Sequence, residues 1–218
     1  MRIVKPGYVI LTPIDGEGIL KQIEAIARTC YKSEDKITEG SAERMVRNLI
    51  KNGHEAMLEH YSISVRFIVD RGVSHELVRH RVASFAQEST RYCNYSQDRF
   101  EHHITVIEPN FAEFEKDDWI TCREVWEDSC KTAEYAYFRL LEKGVTPQIA
   151  RSVLPNSLKT EIVMTANLRE WRHFFKLRAA GTTGKPHPQM LEVTVPLLNE
   201  LKGKIPIVFD DIVPIGEV

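Results

Sequence analysis

This sequence has no CxxC pair, no glycine-rich nucleotide loop and no marked excess of one charge. Its four cysteines are Cys30, Cys93, Cys122 and Cys130. Their spacings match neither a zinc site nor a disulfide framework, which predicts reduced thiols and a cytoplasmic protein. The N-terminal MRIVKPGYVILTPIDG is apolar only in short pieces. Pro6, Pro13 and Asp15 exclude a signal peptide or membrane span there. Lys and Arg total 29 against 31 Asp and Glu, a net charge of -2. That balance argues against a surface for nucleic acid and leaves anionic ligands to local basic clusters. Gly16 and Gly18 lack the third glycine of a GxGxxG turn, so a Rossmann flavin or NADPH domain is not expected. A P-loop is also missing. His54 and His60 are six apart and His75 and His80 five apart, so neither pair makes a helical HExxH site. His102-His103 reads as loop decoration, and no metal site is expected.

What is present is 218 residues with 43% hydrophobic content, enough for one well-buried core. Residues 1–12 read as a strand. Helical periodicity marks 16–30 through Ile19, Leu20, Ile23, Ile26 and Ala27, and 42–52 through Met45, Val46, Leu49 and Ile50. Ser41 is the expected cap of the second helix and Gly53 its stop. Tyr61 to Asp70 alternates as a half-buried strand. Gly72 then ends it, and Ser74 can cap a short helix through Arg79 or beyond. Residues 85–104 read as a long loop, a place where function often sits. Residues 111–143 read as a helix with Trp119, Cys122, Val125, Trp126, Ala133, Tyr137, Leu140 and Leu141 as core candidates, and Gly144 as its stop. Thr146-Pro147 opens a short helix that Pro155 closes. KTEIVMT (159–165) reads as a strand. Asn167 and Glu170 then form an N-cap with an acidic third helical position, on a helix running to about Ala180. A last helix begins near His187-Pro188, with a kink or interruption expected at Pro196. The elements predict one α/β (α+β) domain over 1–218, with a central, mostly antiparallel sheet and surrounding helices.

Two segments are locally basic. Residues 169–187 carry Arg169, Arg172, Lys176, Arg178 and Lys185 against Glu170 alone, and Lys176 and Lys185 read as solvated helix face. Residues 79–99 carry Arg79, Arg81, Arg91 and Arg99 against Glu88 and Asp98. If 74–81 is helical, Glu76 lies one turn before Arg79 and His80, and Arg79 and Arg81 point to different sides. Gln87, Ser89 and Arg91 alternate on an extended stretch, so they share a face. An amide, a hydroxyl and a guanidinium suit a nucleotide base and its phosphate. Composition alone slightly favours a salt-bridged helix end followed by a polar loop.

A resemblance tips that balance. Arg79-His80-Arg81, seven residues and Ser89, within RHRVASFAQESTRY, resembles the signature of flavin-dependent thymidylate synthases. GHEAMLEH (Gly53–His60), IARSVLP (Ile149–Pro155) and NLREWRHFFKLR (Asn167–Arg178) resemble three further segments of that family, in order. The resemblance covers about residues 50 to 190. It implies methylation of dUMP to dTMP, with methylenetetrahydrofolate as carbon donor, FAD as hydride carrier and NADPH as reductant. It also implies a homotetramer with a non-Rossmann FAD site formed between subunits. By position, Ala56, Arg79, His80, Arg81, Gln87, Asn167, Leu168, Arg169 and His173 match the FAD site. Glu76, Arg79, Gln87, Glu88, Ser89, Thr90, Arg91, Arg151 and Arg178 match the dUMP pocket, with Arg178 as the activating residue.

The chemistry of these side chains agrees with the resemblance. Arg178 cannot lose its proton, so it is a poor base but a good fixed cation for an N3-deprotonated or enolate-like pyrimidine. Arg91 and Arg151 suit the phosphate. Ser89 has no adjacent base, so binding fits it better than nucleophilic attack. Cys93 reads as a bystander. This chain departs from the family at Ala56, where Ser or Thr is usual, and at Gln87, where Glu is common. It departs again at His173, often Asn, and at Glu76, frequently Gln. A nucleic-acid-binding module and a flavin-free nucleotide hydrolase are the competing readings. The neutral charge balance opposes the first, and the lack of an acidic metal-binding cluster opposes the second.

Overall fold

The computed structural model describes residues 1–111 and 119–216. Helices and strands are mixed along the chain, as expected. The single strand expected over 1–12 is instead two, β1 (Arg2–Val4) and β2 (Gly7–Ile10). Pro6 explains the break, because it offers no N–H to a ladder and restricts the residue before it. The two pieces pair separately. β1 runs parallel to β5 (Thr105–Ile107), whereas β2 is an edge of a four-stranded sheet ordered β2-β3-β6-β4.

The middle strands of that sheet are β3 (Ser62–Asp70) and β6 (Lys159–Asn167), both alternating along their length as period two requires. They are antiparallel. The Leu168 N–H reaches the Tyr61 carbonyl near one end, and the Arg71 N–H reaches the Asn156 carbonyl near the other. β6 extends two residues past the expected 159–165. β4 (Ser84–Gln87) overlaps the start of the segment read as a loop. It is a short edge strand with three of its four side chains exposed, so it carries no hydrophobic period.

Helices α1 (Gly16–Thr29) and α2 (Ser41–Lys51) fall where their periodicity placed them. Ser41, however, is not the cap of α2. Gly40 takes that position with φ 69°, and Ser41 turns inward, its hydroxyl 2.8 Å from Glu24 Oε2. Glu24 is in turn bonded by Arg28, and all three are buried. Gly53 does end α2, with φ 70° and its N–H on the Ile50 carbonyl.

Helix α3 spans Arg71–Leu77, capped by the Asp70 carboxylate on the Val73 N–H. Gly72 and Ser74 therefore lie inside it, and Ser74 bonds back to the Arg71 carbonyl instead of capping. Helix α4 (Trp119–Glu142) ends before Gly144, whose φ is 83°. The expected start of that helix, 112–118, and the side chain of Trp119 lie outside the described residues. Val125 is exposed, contrary to expectation, and Cys130 is buried in its stead. Helix α5 (Pro147–Ala150) follows Thr146, whose hydroxyl makes no capping bond. Helix α6 (Leu168–Arg178) opens as expected, with Asn167 Oδ1 accepting from the Glu170 N–H at 2.9 Å. Helix α7 (Pro188–Lys204) continues through Pro196, which does not interrupt it.

The chain packs as two compact units, each built from separated segments. One comprises Met1–Gly7, Phe67–Arg79 and Ala86–Ile162. Its core is Tyr95, Ile104, Val106, Cys130, Tyr137, Ala150 and Leu158. The other comprises Tyr8–Arg66, His80–Phe85 and Val163–Val218. Its core holds Ile19, Ile23, Leu58, Ile63 and Val65, with Trp171 stacked on Phe175 and Phe175 edge-on to Phe209. In the second unit Arg172, only 1% exposed, bonds Glu55, the Val208 carbonyl and both carboxylate oxygens of Asp211. The sequence alone had grouped Arg172 with a basic cluster. Its own burial between two carboxylates makes it a structural ion-pair centre.

Candidate functional site

In the first unit two arginines and a histidine line a cavity of about 340 Å3. Its lining includes Arg71, His75, Thr90, Arg151 and Asn156. Arg151 lies in the short 3-10 turn after α5 and donates to the Thr90 hydroxyl at 3.0 Å, and Thr90 is buried. Arg71, the first residue of α3, donates to the Glu88 carbonyl and the Thr160 hydroxyl. Two fixed guanidiniums beside a hydroxyl suit an anion such as a phosphate. Arg71 and His75 were not singled out from sequence. Their signal was a basic residue directly after a strand and another one helical turn on.

The other predicted nucleotide residues of this unit are arranged differently. The chain turns after Glu88, with the Tyr92 and Cys93 N–H groups both on the Ser89 carbonyl. Gln87, Ser89 and Arg91 therefore do not share one extended face. Gln87 donates to the Ser74 and Thr160 hydroxyls. The Ser89 hydroxyl accepts from the Arg91 N–H, and the exposed Arg91 guanidinium lies over the Tyr92 ring. Glu88 is drawn to Lys159 at 3.2 Å and accepts from the Glu161 N–H. Burial pushes the Cys93 thiol above its usual range, with the nearby Glu88 charge adding to the effect. Cys93 is thus a weaker nucleophile than a free thiol. Arg79 is exposed and Glu76 half-buried. The helix ends at Leu77, so the helical spacing assumed for Glu76, Arg79 and His80 does not hold past that residue.

In the second unit a cavity of about 520 Å3 is lined by Glu55, Glu59, Val82, Asn167, Arg169, Glu170, His173 and Lys176. Asn167, Arg169 and His173 are thus brought together, on the first turns of α6. Arg169 is paired with Glu59. Ala56 and Arg81 are exposed but not among the lining residues. Leu168 is buried in the core with its N–H on the Tyr61 carbonyl, so its side chain does not reach the cavity.

Beside this cavity His80 is 4% exposed and bonded at both ring nitrogens. Its Nδ1 lies 3.1 Å from Glu170 Oε1, and its Nε2 accepts from Arg178 Nε at 3.2 Å. Phe174 packs edge-on against the ring and His173 sits 5.9 Å away between centroids. Burial, then the Arg178 charge and His173, lower the His80 pKa to about 4. Burial also raises the Glu170 carboxyl. Arg178 is the last residue of α6, where the helix dipole favours a cation. Its carbonyl lies 2.8 Å from the Thr194 hydroxyl of α7. The arrangement is a half-buried guanidinium held by a neutral imidazole. The ligating atoms of His80, Glu170 and His173 lie within 4.8 Å of one another, close enough to share a cation. Such a cation would have to displace a hydrogen bond already made at His80. Glu170 is the residue that sequence reasoning missed here, since its helical position marked it only as part of a cap.

This chain is similar to known proteins over most of its length. A family model described as thymidylate synthase complementing protein matches residues 14–207. The flavin-dependent thymidylate synthase of Geobacter sulfurreducens is 33% identical over 195 residues, covering 86% of this chain and 79% of that protein. The enzyme of the same description from Corynebacterium aurimucosum is 34% identical over 203 residues, covering 87% of this chain and 78% of that one. Among solved structures, a UMP/dUMP methylase, PolB from Streptomyces cacaoi bound with 5-Br dUMP, superposes with a TM-score of 0.81. It is 22% identical, and 96% of each chain is covered. That likeness concerns the fold.

Proposed function

Because this chain belongs to the flavin-dependent thymidylate synthases, we propose that it converts dUMP to dTMP, with methylenetetrahydrofolate as carbon donor, FAD as hydride carrier and NADPH as reductant. The observation that carries this reading is Arg178, a half-buried cation at the end of α6 oriented by His80.

The residues present fit a flavin dinucleotide. The second unit's cavity lies within the range of roughly 300–1,000 Å3 usual for small-molecule sites. Arg169 and Lys176 would turn from Glu59 and Glu55 to meet a diphosphate, and Asn167 and His173 can hydrogen-bond a heteroaromatic ring. From the family resemblance, Arg79, His80, Arg81 and Gln87 are proposed as further flavin-binding residues. Leu168 and Ala56 are proposed to contribute main-chain or shape contacts. The bound flavin would supply the hydride, a chemistry that no side chain here can perform.

Arg151 and Thr90 are proposed to hold the dUMP phosphate, with Ser89 and Arg91. Glu76, Arg79, Gln87 and Glu88 are proposed to line the base and sugar. A guanidinium is a fixed cation, so Arg178 favours the electron-rich pyrimidine without moving a proton itself. A homotetramer with FAD at its subunit interfaces is proposed from the family, and a cytoplasmic location with it. Among the described residues no helix is long and apolar enough to cross a membrane.

The test is direct. The purified protein should be yellow, or become so on adding FAD, and should oxidise NADPH in a dUMP-dependent way. Arg178→Ala should keep the flavin and lose on the order of 100- to 1,000-fold in dTMP formation, the cost of removing one preorganised charge. A colourless protein that cannot take up FAD would refute the assignment, and normal turnover of the variant would refute the role of Arg178. Light scattering at the mass of four chains checks the assembly.

A further inference from the structure

We propose that Glu170 is the positioning residue for Arg178, acting through the His80 ring. Its carboxylate holds the proton on Nδ1, which leaves Nε2 bare to accept from the Arg178 guanidinium. The inference rests on the role given to Arg178 above.

The hydrogen-bond requirements allow one arrangement. An arginine Nε–H can only donate, so the His80 Nε2 it approaches at 3.2 Å must carry a lone pair. A neutral imidazole with a bare Nε2 carries its proton on Nδ1. That proton needs an acceptor, and Glu170 Oε1 stands 3.1 Å from it. With the proton on Nε2 instead, two N–H groups would face each other in a pocket closed by Phe174. Protonating both nitrogens would break the same bond. Among the described residues, Glu170, His173 and Arg178, all on α6, face the ring.

The local sequence explains how Glu170 becomes available. A glutamate at the third position of a helix commonly folds back on the cap residue's N–H. Here Asn167 Oδ1 satisfies the Glu170 N–H, and the carboxylate extends to His80 instead. The ring therefore bridges the first and last turns of one helix, Glu170 and Arg178 being separated by about 12 Å of helical rise. Arginine has many rotamers, and a misplacement of about 1 Å at a reacting centre can cost on the order of 100-fold in rate. A fixed guanidinium avoids that loss.

Three variants on the full chain test this. Glu170→Ala removes the acceptor, whereas Glu170→Gln retains a carbonyl that can accept from Nδ1–H. Nitrogen-15 NMR of the histidine rings should show a bare Nε2 at His80 in the wild type and in Glu170→Gln, and a protonated Nε2 in Glu170→Ala. In the FAD-loaded enzyme, Glu170→Ala should lower kcat about 10- to 100-fold with little change in KM for dUMP. Glu170→Gln should recover most of that loss. In an Arg178→Lys background, Glu170→Ala should have little further effect, as expected for residues acting in series. A wild-type tautomer or wild-type kcat in Glu170→Ala overturns the proposal. So does an equal loss in Glu170→Gln accompanied by a lowered melting temperature, which would mean a purely structural role. Failure of the Arg178 reading shows separately, as normal turnover in Arg178→Ala, because the tautomer measurement does not depend on catalysis.

Discussion

Lowering the pH should destabilise this protein through one buried ring. His80 ordinarily titrates at 6.5, and in the folded chain it does so at about 4. Between those values the unfolded chain holds a proton that the folded chain does not. Stability is therefore complete above pH 6.5, declines as the pH falls toward 4, and levels off below it. A gap of about 2.5 pH units at 1.36 kcal/mol each gives roughly 3 kcal/mol as an upper bound. The ring neighbours the exposed His173 at the edge of an open cavity, and screening there reduces the expected loss to about 2 kcal/mol. The cause is physical: a charged ring would have to lose water and face the Arg178 guanidinium. Urea unfolding of the flavin-free chain, in steps from pH 7 to pH 4 at fixed protein concentration, gives the curve. His80→Gln, which cannot titrate, supplies the reference. The wild type should lose about 2 kcal/mol more than the variant over that interval. Parallel curves would refute the reasoning, because they would mean that His80 charges equally easily folded and unfolded.

Other perturbations have equally definite outcomes. Arg172→Met should cost about 3 kcal/mol in urea unfolding, since it leaves Glu55, Asp211 and the Val208 carbonyl without their shared cation. Asp211 is partly exposed, which keeps the figure at the low end for a buried pair. Asn167→Ala should cost about 1 kcal/mol by removing the cap on the Glu170 N–H, with a matching fall in melting temperature. Gly16→Ala should lower the melting temperature by more than a surface substitution does. Its new Cβ would stand 2.0 Å from the Lys204 carbonyl oxygen, so backbone must move, at a cost of about 1–3 kcal/mol. An unchanged melting temperature would show that the ends of α1 and α7 are less closely held than described.

How far the sequence could be read varied with the range of the interactions. The strands β3 and β6 were legible because each alternates by itself, Ile63, Val65, Phe67 and Val69 on one and Thr160, Ile162, Met164 and Ala166 on the other. Caps and stops made by neighbours were legible too, as at Asn167, Gly53 and Gly144. Ser41 was misread because its partner, Glu24, is 17 residues away and a hydroxyl at a helix start looks like a cap whatever it touches. β4 was missed because an edge strand exists through its partner's ladder and needs no apolar pattern of its own.

The same division runs through the candidate site. By itself the sequence determined the family and the residue types, since Arg79-His80-Arg81 with Ser89, and Asn167 through Arg178, form recognisable strings. Only the tertiary structure decided which of these side chains meet. It placed His80 between Glu170 and Arg178, residues 90 and 98 positions away, and it grouped Arg71 with Arg151 around one cavity. It also withdrew Leu168 into the core and committed Glu88 to Lys159. The reason is that a hydrogen bond depends on distance and direction in space. The backbone sets those through packing far along the chain, and no local pattern encodes them.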